Sequence, residues 1–462
     1  MNNNETLVFE KNQKKVLNAW CMYDWANSVF PLTITSAIFP IYWNSQTKNG
    51  VDVFGHTIEG SVLFSYSLSL AFLIIAFINP ILSGMADHSG NKKFFMKLFV
   101  LLGAVSCFGM YFFDSQSIWI GVLAFVLGTV GYAGSIVFYN AFLPEIATED
   151  RFDLLSAKGF SMGYIGGVIL LIFNLLIIMF PSILYNVDGK VMELMSLNPQ
   201  LENNQAIVLA KSYFEKKASQ LSFVTVGVWW ILFSLIPFYY LPSSKTNEKK
   251  LSFKKGYNEL RKVYSEIKQF KLMKHYLLAF FFYSMGVQTV MYVASMFGVK
   301  ELKLPKENLI ITILLIQLIA IGGAYLFSYL SQKIGNIKSL IISVLIWIGI
   351  CIGAYYVNGV NGFYLLASVV GLVMGGIQSL SRSTFAKLIP NDTKDNASYF
   401  SFYELTEKVA IVIGTFSFGF IEQIIKIVFK VDSMRYSVLS LMLFFAIGLF
   451  LLILIRDENV EV

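Results

Sequence analysis

The chain has 462 residues, 56% of them hydrophobic and only 14% charged, with a mean hydropathy of +0.63. That apolar share exceeds what a water-soluble domain carries and excludes a disordered chain. The formal net charge of +7 matches the surplus of one loop, Ser243 to Lys274, which holds ten Lys/Arg against three Glu. It is therefore not the footprint of a folded nucleic-acid-binding face.

Stretches of about 20 apolar residues predict membrane-spanning helices, and none of this sequence alternates with the period of a membrane barrel. The first span, 16–43, contains Tyr23, Asp24, Asn27 and Pro31. A carboxylate at a helix centre costs about 2.5–3.5 kcal/mol on insertion scales, so it normally faces a cavity or a partner. Asp24, Asn27 and Pro31 are spaced three and then four apart and share one inward face. Asp24 is either a proton-binding carboxylate or the permanently ionised partner of a buried cation, with Lys408 and Arg382 as the candidate cations.

The second span, 61–84, runs into a loop from Ser83 to Lys93 in which Gly90 permits a tight reversal. Asp87 there can cap a helix N-terminus or pair with a cation. Spans follow at 94–113 and 117–142, the latter closed by Asn140, Pro144 and Glu145, whose expected roles are capping and latch contacts. The fifth span, 156–180, carries Asn174. A polar stretch to Leu221 with a helical run around Ala206 to Gln220 reads as a structural cap before the sixth span, 222–241.

In the basic linker, Tyr257, Leu260, Tyr264 and Ile267 are spaced three, four and three apart, with basic residues between them. This pattern predicts an amphipathic helix on the inner leaflet that meets anionic lipid and tethers the two halves, with regulation as the alternative role. Spans seven to twelve follow at 275–297, 308–330, 338–357, 361–385, 397–425 and 436–455. Gln288 and Gln317 sit in the seventh and eighth, Gln378 and Arg382 in the tenth. Glu404 and Lys408 in the eleventh are four apart in the order that favours a helical ion pair. Cys21, Cys107 and Cys351 fall within spans at no metal or redox spacing and read as packing residues. With both termini in the cytoplasm, 25 of the 36 basic residues lie inside and 11 outside, as the positive-inside rule requires. The polar first fifteen residues lack the short apolar core of a cleaved leader.

Two loops repeat. Ser83, Gly90, Asn91 and Lys93 recur as Ser328, Gly335, Asn336 and Lys338 at an offset of 245, and Pro144 recurs as Pro390 at an offset of 246. Two matches at nearly one offset, on the same predicted face, indicate duplication of a six-helix unit.

The 83–93 loop resembles the signature loop of the major facilitator superfamily, a Gly-x-Leu-Ala-Asp-Arg-x-Gly-Arg-Lys pattern. Asp87, Gly90, Lys92 and Lys93 are retained, while Ser83, His88 and Asn91 depart from it. The resemblance implies that this loop is a conformational latch between halves. Tyr23 to Ser28, Phe138 to Ala147 and Gly375 to Ser383 are similar to hallmark segments of the branch containing the fungal autophagy-related vacuolar amino-acid effluxer and its bacterial relatives. That resemblance covers both halves and implies efflux of small solutes, amino acids being the class suggested. The two glutamates beside Lys408, Glu404 and Glu407, depart from the expected pattern.

The expectation is an all-α integral membrane protein with twelve transmembrane helices in two pseudo-symmetric bundles, the major facilitator fold. Its units are residues 1–242, the linker 243–274 and residues 275–462. Asp24, Asn27, Tyr23, Gln378, Arg382, Glu404 and Lys408 are candidate substrate or proton ligands, and Asp87, Gly90, Lys92, Lys93, Asn140 and Glu145 form the candidate latch. The predicted function is secondary transport of a small polar or zwitterionic solute, with proton coupling through Asp24 and no other cofactor or metal. Another metabolite, a drug-like solute or a non-transporting sensor are the alternatives. No phosphate-binding Gly-Lys-Ser/Thr loop or His-Glu-x-x-His occurs, so neither a nucleotide-driven pump nor an enzyme is expected. A monomer in a bacterial inner membrane fits these features.

Overall fold

The computed structural model describes residues 10–53, 55–243, 252–430 and 433–457. Within lipid, every backbone polar group must be satisfied inside its own segment, and this chain does so with helices. The first pass is composite. Helix α1 (Lys14–Asn27) leads into a π-helical stretch, Phe30–Ala37, and then α2 (Ile38–Gln46). Pro31 stands in the first turn of the π stretch, where its missing N–H and its ring disturb the regular ladder.

The remaining helices are α3 (Gly60–Ser89), α4 (Lys92–Met110), α5 (Ile118–Asn140), α6 (Leu143–Ile146), α7 (Phe152–Met179), α8 (Val187–Leu197), α9 (Asn203–Tyr240) and α10 (Phe253–Gln269). They continue as α11 (Lys271–Lys300), α12 (Lys306–Ile334), α13 (Asn336–Tyr356), α14 (Gly359–Leu388), α15 (Asn396–Val428), α16 (Arg435–Ser440) and α17 (Met442–Asp457). Among the described residues, eleven helical stretches are long and apolar enough to cross a membrane, and the composite first pass brings the expected twelve. A two-stranded hairpin, Val51–Val53 with His56–Ile58, is the one described departure from all-helical structure.

The duplication is visible in the packing. In the first half α1 packs on α7 and α9, α4 on α5 and α9, and α3 on α5. In the second half α11 packs on α15 and α17, α13 on α14 and α17, and α12 on α14. These are the same pairs, helix for helix. The α12–α14 contact is tight because a Cβ on Gly323 or Gly375 would lie 2.0 or 2.1 Å from a facing carbonyl oxygen, and small residues are what let helices approach in lipid. Gly90 and Gly335, the repeated glycines, end α3 and α12 with positive φ of 70° and 85°.

Two linking segments differ from expectation. The polar run before the sixth span is not a separate cap but the start of α9, whose 38 residues extend about 57 Å at 1.5 Å per residue. This exceeds the hydrocarbon core, and the protruding end packs against α8 through Val191, Ala206 and Ala210. Within the linker, residues 244–251 lie outside the described set. The expected stripe on α10 divides: Ile267 is buried with Gly256 and Val263 against the protein, whereas Tyr257 and Tyr264 are exposed. The helix docks on α3 and reaches α15. A hydrogen bond to Asp395 holds the Lys262 ammonium above its ordinary pKa.

Candidate functional site

Between the halves lies a cavity of about 270 Å³, near the small end of the range for ligand sites. Its walls come from α1 and the π stretch, α3, α5 and α7 of the first half, and α11, α12, α14 and α15 of the second. Asp24, Asn27, Gln378, Arg382, Glu404 and Lys408 all line it, as do Gln288 and Gln317. Tyr23 does not. It points away from the cavity lining and packs, fully buried, on Tyr139 with ring centroids 4.9 Å apart. One residue along a helix turns the side chain by about 100°, which separates it from Asp24. Asn174 is likewise outside the cavity and accepts from the Thr225 hydroxyl at 2.9 Å.

The charged lining forms two clusters. In the first, Asp24 Oδ2 accepts from the Tyr139 hydroxyl at 2.6 Å and from both terminal nitrogens of Arg382 at 3.2 Å. The Arg382 guanidinium also donates to Ser156 Oγ and the Ser156 carbonyl, each at 2.9 Å. Its carbon lies 4.2 Å from the Phe160 ring centre and 4.7 Å from that of Trp20, positions that favour a cation. The pair is 4% and 3% exposed. Gly159 makes room for it, since a Cβ there would stand 2.3 Å from Asp24 Oδ2. Of the two candidate cations, Arg382 is the one that the geometry pairs with Asp24.

The second cluster lies on α15. Lys408 Nζ is 3.1 Å from Glu404 Oε2 and is also paired with Glu407. Gln288 donates to Glu407 at 2.9 Å, and Asn140 Nδ2 donates to Glu404 at 3.0 Å. Asn140 Oδ1 meanwhile accepts from Arg382 at 3.4 Å, so this amide joins the two clusters. Three carboxylates and two cations therefore share the cavity. Two further lining groups, Asn27 Nδ2 and Thr129 Oγ1, are buried without a hydrogen-bond partner. Unpaired buried donors of this kind are costly unless a ligand or water meets them.

On the side of the cavity nearer the linker, polar contacts cross between halves. Asp87 accepts from the Ala397 and Ser398 amides at 3.1 and 2.7 Å, capping α15 from α3. Lys92 is 3.4 Å from Asp87 and is paired with Glu145, which in turn accepts from Asn396 at 3.2 Å. Asp87, Lys92 and Glu145 thus meet in one network, and Gly90 makes the turn beside it. Lys93 does not join them: it donates to the Phe238 carbonyl at 3.1 Å, within its own half. Asn140 sits at the cavity rather than in this network.

A second cross-half network was not singled out in the sequence. Asp153 accepts from Asn336 at 2.8 Å, Lys387 at 3.0 Å and Ser331 at 3.1 Å. Its signal was available, because Asn336 is the repeated counterpart of Asn91. These two networks and the Asp24–Arg382 pair tie the two halves to one another on the linker side of the cavity.

Gly159-Phe160-Ser161-Met162-Gly163 has the letters of a Gly-x-Ser-x-Gly nucleophile motif. It lies inside α7, whereas that chemistry needs a strand-to-helix turn, and Ser161 Oγ donates to the Ile321 carbonyl at 3.4 Å. No hydrolase site follows from it.

A family model described as "Vacuole effluxer Atg22 like" matches residues 12–154 and 148–461. The MFS-type transporter YxiO of Bacillus subtilis is 29% identical over 457 residues, spanning 97% of this chain and 96% of that protein. Autophagy-related protein 22 of Kluyveromyces lactis is 22% identical over 503 residues, spanning 94% and 92%. Among solved structures, the major facilitator transporter FucP in its outward conformation superposes with a TM-score of 0.64 at 14% identity, covering 96% of this chain and 97% of that one.

Proposed function

The chain belongs to the Atg22-like family, a branch of the major facilitator superfamily, and on that premise we propose that it is a secondary transporter for a small solute bearing an ammonium group, an amino acid being the class the family favours. The observation that carries this reading is the charge set of the cavity, three carboxylates against two cations. Buried charge in a membrane protein is expensive and is kept where it handles substrate or ions. Asp24 and Arg382 satisfy one another, so the surplus negative charge belongs to Glu404 and Glu407. A substrate ammonium suits that pair, and the Asn27 amide offers an unpartnered donor to a substrate carboxylate. A coupled proton, if the cycle uses one, then belongs to the same α15 carboxylates rather than to Asp24.

Transport would proceed by rocking one half against the other around this site. A solute drives that exchange only through its different affinity for the two states. The excess of basic residues supports a cytoplasmic linker face, and kinship with YxiO supports a bacterial cytoplasmic membrane. Release of labelled amino acids from proteoliposomes, with and without an imposed pH gradient, tests the reading. Gradient-sensitive release of a subset supports it. No release from folded, correctly oriented protein discards the amino-acid class.

A further inference from the structure

Helix α10 has two unlike sides. Toward the protein it presents buried Gly256, Val263 and Ile267. Gly256 lies so close to α3 that a Cβ on Gly84 would stand 2.1 Å from the Gly256 carbonyl oxygen. Both acidic residues of the helix also turn this way. Glu259 is 3.9 Å from His88 of α3, and Glu266 accepts from the Tyr399 hydroxyl of α15 at 2.5 Å. Lys262 donates at 2.7 Å to Asp395, the residue that precedes α15. One helix thus holds α3 from the first half and the N-terminal turn of α15 from the second. That turn is also the one Asp87 caps.

Away from the protein, Lys254, Arg261 and Lys268 recur at every seventh residue and form one exposed stripe. Tyr257 and Tyr264, also seven apart, form the adjoining half-exposed stripe at 52% and 48%, with one face of the Tyr264 ring stacked on Phe402 of α15 at 5.9 Å between centres. No acid lies on this side. Exposed aromatics beside an unbroken basic row suit the headgroup region of an anionic leaflet, where each basic residue is attracted to lipid charge.

We propose that α10 is a strap across the linker-face gate, and that docking of its outward aromatic and basic side on anionic lipid headgroups holds the gate shut. Opening toward the linker face separates α3 from α15, so the strap must release Asp395 and Tyr399 or leave Gly84. Lipid that fixes the helix against the membrane favours the state in which all these contacts coexist, and shifts the equilibrium by its differential affinity. This rests on the alternating-access reading but not on the identity of the solute.

The test uses the full chain in liposomes, with spin labels on Asp150→Cys and Gln332→Cys. These exposed positions lie near the linker face in opposite halves, and the native cysteines are buried. Adding phosphatidylglycerol to neutral vesicles should raise the ratio of short to long label distances by about threefold or more, given the attraction expected per basic residue. The triple variant Lys254→Gln, Arg261→Gln, Lys268→Gln should lose that lipid response while matching the parent in neutral vesicles. Lys262→Ala should lower the short-distance fraction in both lipids, and Asp395→Ala should do the same without adding to it. A lipid response retained by the triple variant overturns the docking surface. Unchanged distances in Lys262→Ala overturn the strap. Neither readout needs transported solute, so failure of the amino-acid reading would leave both outcomes interpretable.

Discussion

Asp24→Asn is the sharpest perturbation of this site. The substitution preserves shape and leaves an oxygen for the Tyr139 hydroxyl, but it strips Arg382 of its counter-charge. Breaking a buried ion pair by removing one partner typically costs about 3–5 kcal/mol. Ser156 and Asn140 still accept from the guanidinium, and Trp20 and Phe160 still flank it, so the low end, about 3 kcal/mol, is expected. The cost falls chiefly on one conformation. Asp24 is on α1 and Arg382 on α14, in opposite halves, and opening the linker face pulls them apart. At 1.4 kcal/mol per tenfold, the closed-to-open ratio should fall by about 150-fold, enough to bring a closed population of about 99% near parity. Label distances across the linker face measure that ratio directly. Arg382→Gln should shift it in the same direction, and the double variant should recover part of the loss, because each single variant strands a buried group that the double removes. Unchanged distances in Asp24→Asn, or strictly additive effects in the double variant, would refute the reasoning. A lowered melting temperature with unchanged distances would mean that the pair supports both states alike and is no lock.

Gly159→Ala should mimic Asp24→Asn, since the new methyl would stand 2.3 Å from Asp24 Oδ2; overpacking of this kind costs about 1–3 kcal/mol and can be read in the melting temperature and the label distance together. Asp87→Asn should weaken the α15 cap by about 1 kcal/mol and raise thiol accessibility at the linker face, with little change in substrate affinity. Glu407→Gln removes the surplus charge while keeping a partner for Lys408 and Gln288; proteoliposomes should show weaker binding of an ammonium-bearing solute, and wild-type affinity would remove this residue from the substrate site. Asp153→Asn should open the gate in the same sense as Asp87→Asn, and the two together should exceed either alone in the distance measurement.

The twelve passes were legible because lipid leaves the backbone few options: about 20 apolar residues without internal breaks must be helix. The same logic fails where water or protein replaces lipid. The polar helical run around Ala206 to Gln220 was legible, but not that it continues unbroken into the sixth span as α9, with α8 covering one side of it. For α10, period and charge gave an amphipathic helix, but hydropathy does not say which surface covers the apolar stripe. Gly84 and Gly256 decide that, by allowing two backbones to meet. In the first pass, Pro31 was visible, but the π stretch it begins depends on how the following turn is packed.

The candidate site was legible as a set of charges and, at Glu404 and Lys408, as a pair, but the partner of Asp24 was not. Arg382 and Lys408 were equal candidates for Asp24 until geometry showed Lys408 already engaged by Glu404 and Glu407 on its own helix. Lys93 came from the signature-loop pattern and Tyr23 from the hallmark segment around Asp24; a motif match does not say which way each side chain points, and neighbours along a helix point in different directions.

The missed Asp153 network exposes a further limit of reading repeats. Asp87 of the first half binds the Ser398 amide at the start of α15. Adding the 245-residue offset to Asp87 gives Gln332, and subtracting it from Ser398 gives Asp153. Asp153 is held not by Gln332 but by Ser331 and Asn336 close to it in the second loop, so a tie forms at the corresponding place in both copies, with its carboxylate on the loop side in one and on the helix side in the other. A polar tie across a pseudo-symmetric interface needs one acceptor and one donor, and either partner can supply the charge. Searching the second loop for an acid fails for that reason, and the acid is found by searching the helix that faces it.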